Sequence, residues 1–419
     1  MRELIANGVG FSPIIDEKFT TNTIQVSFAI LLDEENSPLN ALAASIIASN
    51  NSKYKTLAEL SSKLSALYGA SLNVSVSKRG DVQLITFYLS TIEDKFTFNG
   101  ENITKEAIEI FLTCLFEPYI VDNGFEQEIF NFRKKDILDT IESEINNKRA
   151  YAIMQASRTV FKNEPCSFSA YGSKENAQKA TPANAYEAYK NLLKNAVIEI
   201  HTVSPKPLGV KELFQKGFSE IERTPQNISY HTPSLLKSET AEITEELDVL
   251  QAKMVLGFKG GLDRYSTKLF STILGEIPSA KLFTNVREKL SLCYYCASGY
   301  QDTKNAIMVD SGVETPNLDK AKTAILEQID EIKKANITSD EISNAKLALE
   351  NSLKGVFDTP SAIASWHLKC LQNGETITPE QSIEKYNAVT LDDIVKVANT
   401  FVLDTVYIMK PATDRKVNS

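Results

Sequence analysis

The chain has 419 residues, too many for one ordinary core, and this length predicts two domains or more. Its 42% hydrophobic and 24% charged residues are those of a folded protein, which argues against disorder. A formal charge of −9 and the absence of any Lys/Arg-rich run argue against a nucleic-acid partner, since phosphates need a basic face.

The longest apolar stretch, Ile24 to Leu32, is itself interrupted by polar residues and is far short of the roughly 20 residues of a membrane helix. The opening MRELIANGVGFSPIIDEKF has no basic start, apolar core or small-residue cleavage site, so a cytoplasmic chain without membrane association is expected. Five cysteines, an odd and sparse set, do not make a disulfide framework.

In chain order, the strand-like TIQVSFAILL precedes a helix-like NALAASIIAS. Leu57, Leu60, Leu64 and Leu67 then fall on one helical face. In SLNVSVSKRGDVQLITFYLS, Leu72, Val74 and Val76 alternate with polar residues up to a turn at Lys78 to Asp81, which reads as a hairpin with one buried face. Longer helices follow, one with Phe130, Ile137, Ile141 and Ile145 along one side. A helix at Tyr186 to Leu193 and the strand AVIEIHTVS close the half.

The same order then repeats. QAKMVLGFKG is the strand, YSTKLFSTILGE and SAKLFTNVREKLS are the helices, and YYCASGYQDTKNAIMVDSGVE is the hairpin. Two more helices begin near Leu318 and Ile342, and DTVYIMKP closes the chain. Matching strands recur at nearly equal spacing, which points to internal duplication. The domains predicted are 1–204, a Pro-containing linker at 205–232 that wraps rather than packs, and 233–419. Hairpins followed by consecutive helices predict an α+β fold. Each half is expected to be a mostly antiparallel sheet with helices packed on one face.

Few residues carry chemistry. His201, His231 and His367 are far apart, and none has a second His or a carboxylate at helical ligand spacing, so structural or surface roles are expected. Cys293-x-x-Cys296 could be a redox pair or half a zinc site. It lies in a predicted strand rather than at a helix N-terminus, and no second pair exists, which favours buried packing. GFKGG at 257 to 261 lacks the Gly-Lys-Ser/Thr ending of a phosphate loop and reads as a strand end. The segment LFTNVREKLSLCYY stands out. Arg287 and Tyr294 lie where a helix gives way to a strand, and a guanidinium and a phenol there offer donors to a peptide carbonyl and its oxyanion. Helix-dipole complementarity for Arg287 and strand propensity for Tyr294 explain the same residues without function.

These features resemble the pitrilysin/insulinase-type zinc metallopeptidases, the inverzincins, along nearly the whole chain. The likeness rests on the duplicated halves, on FSAYGSKENAQKATPANAYEAYKNL, and on an R-x-x-x-G-L-x-Y pattern represented by Arg287, Ser291, Leu292 and Tyr294. It implies the family's two-half fold and a role for Arg287 and Tyr294 in holding substrate at a metal site. The chain departs from the pattern twice. Ser291 replaces the family's Gly, and Ala44, Ile47 and Ala48 stand where the resemblance puts the zinc motif H-x-x-E-H. None of those three side chains can bind zinc or take a proton from water.

The resemblance therefore implies a non-catalytic subunit with no cofactor of its own. Zinc would be held only by a homologous partner subunit bearing the motif, with a peptide as substrate. KSETAEITEEL and LYGASLNVSVSKRGDVQ further resemble a bacterial subgroup associated with aminopentanol modification of elongation factor P. The alternatives are a catalytically inert peptide-binding or scaffolding module of the same fold, and a thiol enzyme using Cys293 and Cys296.

Overall fold

The computed structural model describes residues 2–412, which form two compact units. The first comprises the chain up to Glu142, Phe168–Tyr230 and Phe357–Glu375; the second comprises Ser143–Ser167, His231–Val356 and the chain from Thr376.

In the first unit the strands are β1 (Glu3–Ala6), β2 (Val9–Ile15), β3 (Thr21–Leu31), β4 (Ser71–Arg79) and β5 (Val82–Ile92). A short ladder of β6 (Ile120–Val121) with β7 (Gly124–Phe125) stands apart, and β8 (Val197–Ser204) returns to the main sheet. The sheet order is β1-β2-β8-β3-β5-β4, with β2 and β8 parallel and every other pair antiparallel. Alternation in β4 does what the sequence predicts: Leu72, Val74 and Val76 pack against the core while Ser71, Asn73 and Ser75 stay exposed. Helices Ser37–Ile47, Ile103–Phe116 and Pro182–Asn195 cover that apolar face, and the Phe28, Phe87, Phe111 and Phe214 rings pack in sequence through the core.

The second unit contains β9 (Ala241–Leu247), β10 (Ala252–Lys259), β11 (Cys293–Gln301), β12 (Ala306–Val313) and β13 (Val402–Pro411) in the order β11-β12-β10-β13-β9. Only β9 and β13 are parallel. Apart from β1, the two sheets share strand order and pairing sense, as a duplicated ancestor requires. Both are mixed sheets within an α+β class.

Each sheet also carries one helix on its other face. In the second unit Met254, Leu256 and Phe258 of β10 face the main core, while Val255 faces Ala152, Ala156 and Val160 of the helix Lys148–Val160. Gly257 makes this approach possible: a Cβ there would sit 2.6 Å from Val160 Cγ2. In the first unit, helix Pro360–Gln372 places Ile363 and Ala364 against Val203 and Phe19. The central strands are near-continuous apolar runs because both of their faces are covered.

Compactness thus does not follow the sequence limits 1–204, 205–232 and 233–419. Helix Lys148–Val160 belongs to the second unit and helix Pro360–Gln372 to the first. Nor is 205–232 a wrapping linker. Its helix Lys211–Ser219 buries Phe214 and Phe218 completely, and Arg223 donates hydrogen bonds to the carbonyls of Asn7, Leu193 and Ala196. Apolar residues four apart on one helical face drive that packing.

Candidate functional site

Arg287 and Tyr294 flank a tight reversal in the second unit. The helix Leu282–Lys289 is π-wound and buries Leu282 and Val286. Its end is closed by the Leu290 amide donating to the Asn285 carbonyl at 3.1 Å and the Leu292 amide donating to the Val286 carbonyl at 3.2 Å. One turn earlier on the same helix, Phe283 supports Arg287, whose guanidinium lies 4.4 Å from the ring centroid. π-turns of this kind re-aim side chains and recur at functional sites.

The chain then turns at Ser291, whose φ is 52°. This is the left-handed region that the resemblance implied by placing Gly there, and a serine occupies it at a cost of about 1 kcal/mol. β11 follows at once. Tyr294 is 61% exposed, and its hydroxyl donates to Glu314 Oε1 at 3.0 Å, just past the end of β12. The Glu314 carboxylate accepts that bond and, with its charge, holds the phenol above its ordinary pKa. The two candidates thus lie on one short segment, Tyr294 exposed and Arg287 half-buried. Glu314 and Phe283, which orient them, were not singled out from sequence. The hairpin register, which pairs Cys293 with Val313, is the signal that would have found Glu314.

Ala44, Ile47 and Ala48 lie in the first unit at the end of the helix Ser37–Ile47. Ala44 is fully buried and Ile47 is 3% exposed, both inside the main core, with Ala48 packed partly against it. These positions offer methyl groups to a packed interior rather than open space to a metal. Beside them, Arg133 Nε donates to Ser49 Oγ at 2.8 Å and Arg133 Nη1 pairs with Asp136 at 2.8 Å.

The histidines are not all apart. His201 of β8 and His367 of helix Pro360–Gln372 bring their rings to 6.3 Å, on the polar face of the first sheet. His201 is fully buried, and neither ring nitrogen has a hydrogen-bond partner. Burial, then the neighbouring His367, lowers its pKa to about 3, so the ring is neutral. On the same face a cavity of about 650 Å³ is lined by Thr23, Ser71, Asn73, Tyr88, Ser90 and the start of that helix. It borders β4, which pairs with β5 on one side and with no strand on the other among the described residues.

Comparison with known proteins fits this picture. A sequence model of the family "Peptidase M16 inactive domain" matches residues 179–349. A Bacillus subtilis protein named "Probable inactive metalloprotease YmfF" is 25% identical over 400 residues, covering 94% of each chain. Over residues 179–349 the chain is similar to the M16 peptidase inactive domain. The crystal structure of a conserved protein from Enterococcus faecalis superposes on this chain with a TM-score of 0.90, at 25% identity and 99% coverage of both chains. A "peptidase M16 inactive domain" from Pseudomonas fluorescens shares the fold, with a TM-score of 0.79 over 98% of both chains at 14% identity. No helix among the described residues is long and apolar enough to cross a membrane.

Proposed function

We propose that this M16 homologue is the non-catalytic, substrate-gripping subunit of a heterodimeric zinc peptidase. A homologous partner subunit with an intact H-x-x-E-H holds the zinc and supplies the general base. This chain contributes Arg287 and Tyr294 as donors to the scissile carbonyl and its oxyanion. The free edge of β4 serves as a cradle for an extended peptide. The observation that carries the reading is a contrast: the Arg/Tyr segment is surface-accessible and held by a left-handed turn, whereas Ala44 and Ile47 are sealed in a core.

The test is reconstitution of the pair with Arg287→Ala or Tyr294→Phe in this chain. Removing one oxyanion-type donor lowers kcat about 100- to 1000-fold. Unchanged hydrolysis by both variants would remove the catalytic role.

A second reading, an inert peptide-binding or scaffolding module, draws on the same contact that restrains Tyr294. A phenol already donating to Glu314 has no proton left for substrate. This reading predicts stable association with the partner subunit and no effect of either substitution on hydrolysis.

A further inference from the structure

The two cysteines of β11 come together in a way their spacing conceals. Residues three apart in a regular strand point to opposite faces. Here the pairing with β12 slips: Cys293 lies opposite Val313, Tyr295 opposite Gly312 and Cys296 opposite Ser311. Three steps along β11 thus match two along β12, and Tyr294 is the extra residue of a β-bulge.

As a result both thiols face the same core, with Cys293 8% and Cys296 4% exposed, and they hydrogen-bond to one another. The bulge is fixed from the other face. The Tyr295 ring lies where a Cβ on Gly312 would be, 2.5 Å from that position, and the Arg149 guanidinium stacks on it at 4.4 Å.

Two steps along a strand advance about 6.6 Å. That is at the upper end of the roughly 4.4–6.8 Å Cα separation a disulfide spans. A bond between these sulfurs is within reach, and making it draws the bulge inward.

We propose that Cys293 and Cys296 are a reversible dithiol–disulfide site whose closure displaces Tyr294. None of the five cysteines is disulfide-bonded in the structure. Cys293 is the attacking thiol. A hydrogen bond from Cys296 and the nearby charge of Arg287 lower its pKa against the opposing effect of burial. Cys296 is held well up by that same bond and by burial, so it keeps its proton until the second step.

Hydrogen peroxide is small enough to reach a thiol so little exposed. The Cys293 thiolate attacks one peroxide oxygen, the O–O bond breaks, and the departing hydroxide takes up a proton to leave as water. The sulfur is now a sulfenic acid. The Cys296 sulfur then attacks Cys293 Sγ, the S–S bond forms and the S–O bond breaks. The hydroxyl leaves as a second water with the Cys296 proton. Two thiols and one peroxide thereby give one disulfide and two waters, and a dithiol reductant reverses the change. The site stands whether or not Tyr294 serves a partner subunit's metal centre.

The experiment treats the full-length reduced protein with dilute hydrogen peroxide, then counts thiols after denaturation and maps the cross-link by mass spectrometry. Two of the five thiols should disappear into a single Cys293–Cys296 bridge that dithiothreitol reopens. Amide exchange over Leu290 to Tyr295 should become faster in the bridged form. Cys296→Ser should stop at a sulfenic acid on Cys293 that a dimedone probe captures, and Cys293→Ser should lose no thiol in this segment. Retention of all five thiols, a bridge to another cysteine, or terminal oxidation of Cys293 with Cys296 untouched would overturn the site. Unchanged exchange in the bridged protein would overturn the displacement of Tyr294.

Discussion

The Tyr294 hydroxyl and Glu314 Oε1 are 3.0 Å apart, and the phenol has one proton to give. In the heterodimeric peptidase we propose, Glu314 would compete with the substrate carbonyl for the Tyr294 donor. Glu314→Ala is expected to raise kcat/KM modestly. Tyr294→Phe lowers it, with a loss of one oxyanion-type donor costing about 100-fold or more. A loss of equal size in Glu314→Ala would mean that the carboxylate positions Tyr294 rather than restrains it.

Ser291 holds a backbone conformation that favours glycine. Ser291→Gly should stabilise the protein by about 1 kcal/mol without altering its surface chemistry. Urea unfolding of the two proteins measures this, and a loss of stability would show that the turn draws support from the serine hydroxyl.

Introducing a ligand where the resemblance puts the zinc motif should fail for a packing reason. Ala44 is fully buried, so Ala44→His forces an imidazole into a filled core and costs about 1–3 kcal/mol. Thermal denaturation with and without added zinc should show a lowered Tm that the metal does not recover. Recovery by zinc would mean that the helix end can open.

His201 makes stability depend on pH in the acid range, and His367 beside it, whose pKa burial also lowers, adds to the same trend. Its folded-state pKa of about 3 lies below the roughly 6.5 of an unfolded histidine. Below pH ~6.5 the unfolded chain binds a proton that the folded chain refuses, so stability falls as the pH drops towards the folded value, by up to about 1.4 kcal/mol per unit. Urea titrations should show a loss of about 2 kcal/mol between pH ~7 and pH ~5, most of which disappears in His201→Leu. An equal loss in that variant would place the sensitivity elsewhere.

Much of the fold was legible because its signals are local. Alternation in Leu72, Val74 and Val76 defines β4, and four-residue apolar spacing defines the helices. What the sequence hid was which partner each face meets. Ala152, Ala156 and Val160 announce a buried helical stripe, but nothing in them says that it packs on the second sheet. Phe214 and Phe218 carry the same kind of stripe through a segment whose prolines read as a linker.

The candidate site stood out by residue type, while its geometry was hidden. Arg287 and Tyr294 stood out as donors, while Glu314 and Phe283 entered through a register and a π-turn. Cys293 and Cys296 read as buried packing because strand periodicity does not foresee the bulge that brings them to one face. His201 and His367 were distant in sequence and adjacent in space.

The most direct test of the account is the zinc content and peptidase activity of the purified chain, measured alone and then with an H-x-x-E-H-bearing M16 subunit. The account predicts substoichiometric zinc and no hydrolysis alone, with hydrolysis appearing once the partner subunit is added and depending on Arg287 and Tyr294. One tightly bound zinc per chain, with chelator-sensitive cleavage by the chain alone, would contradict it.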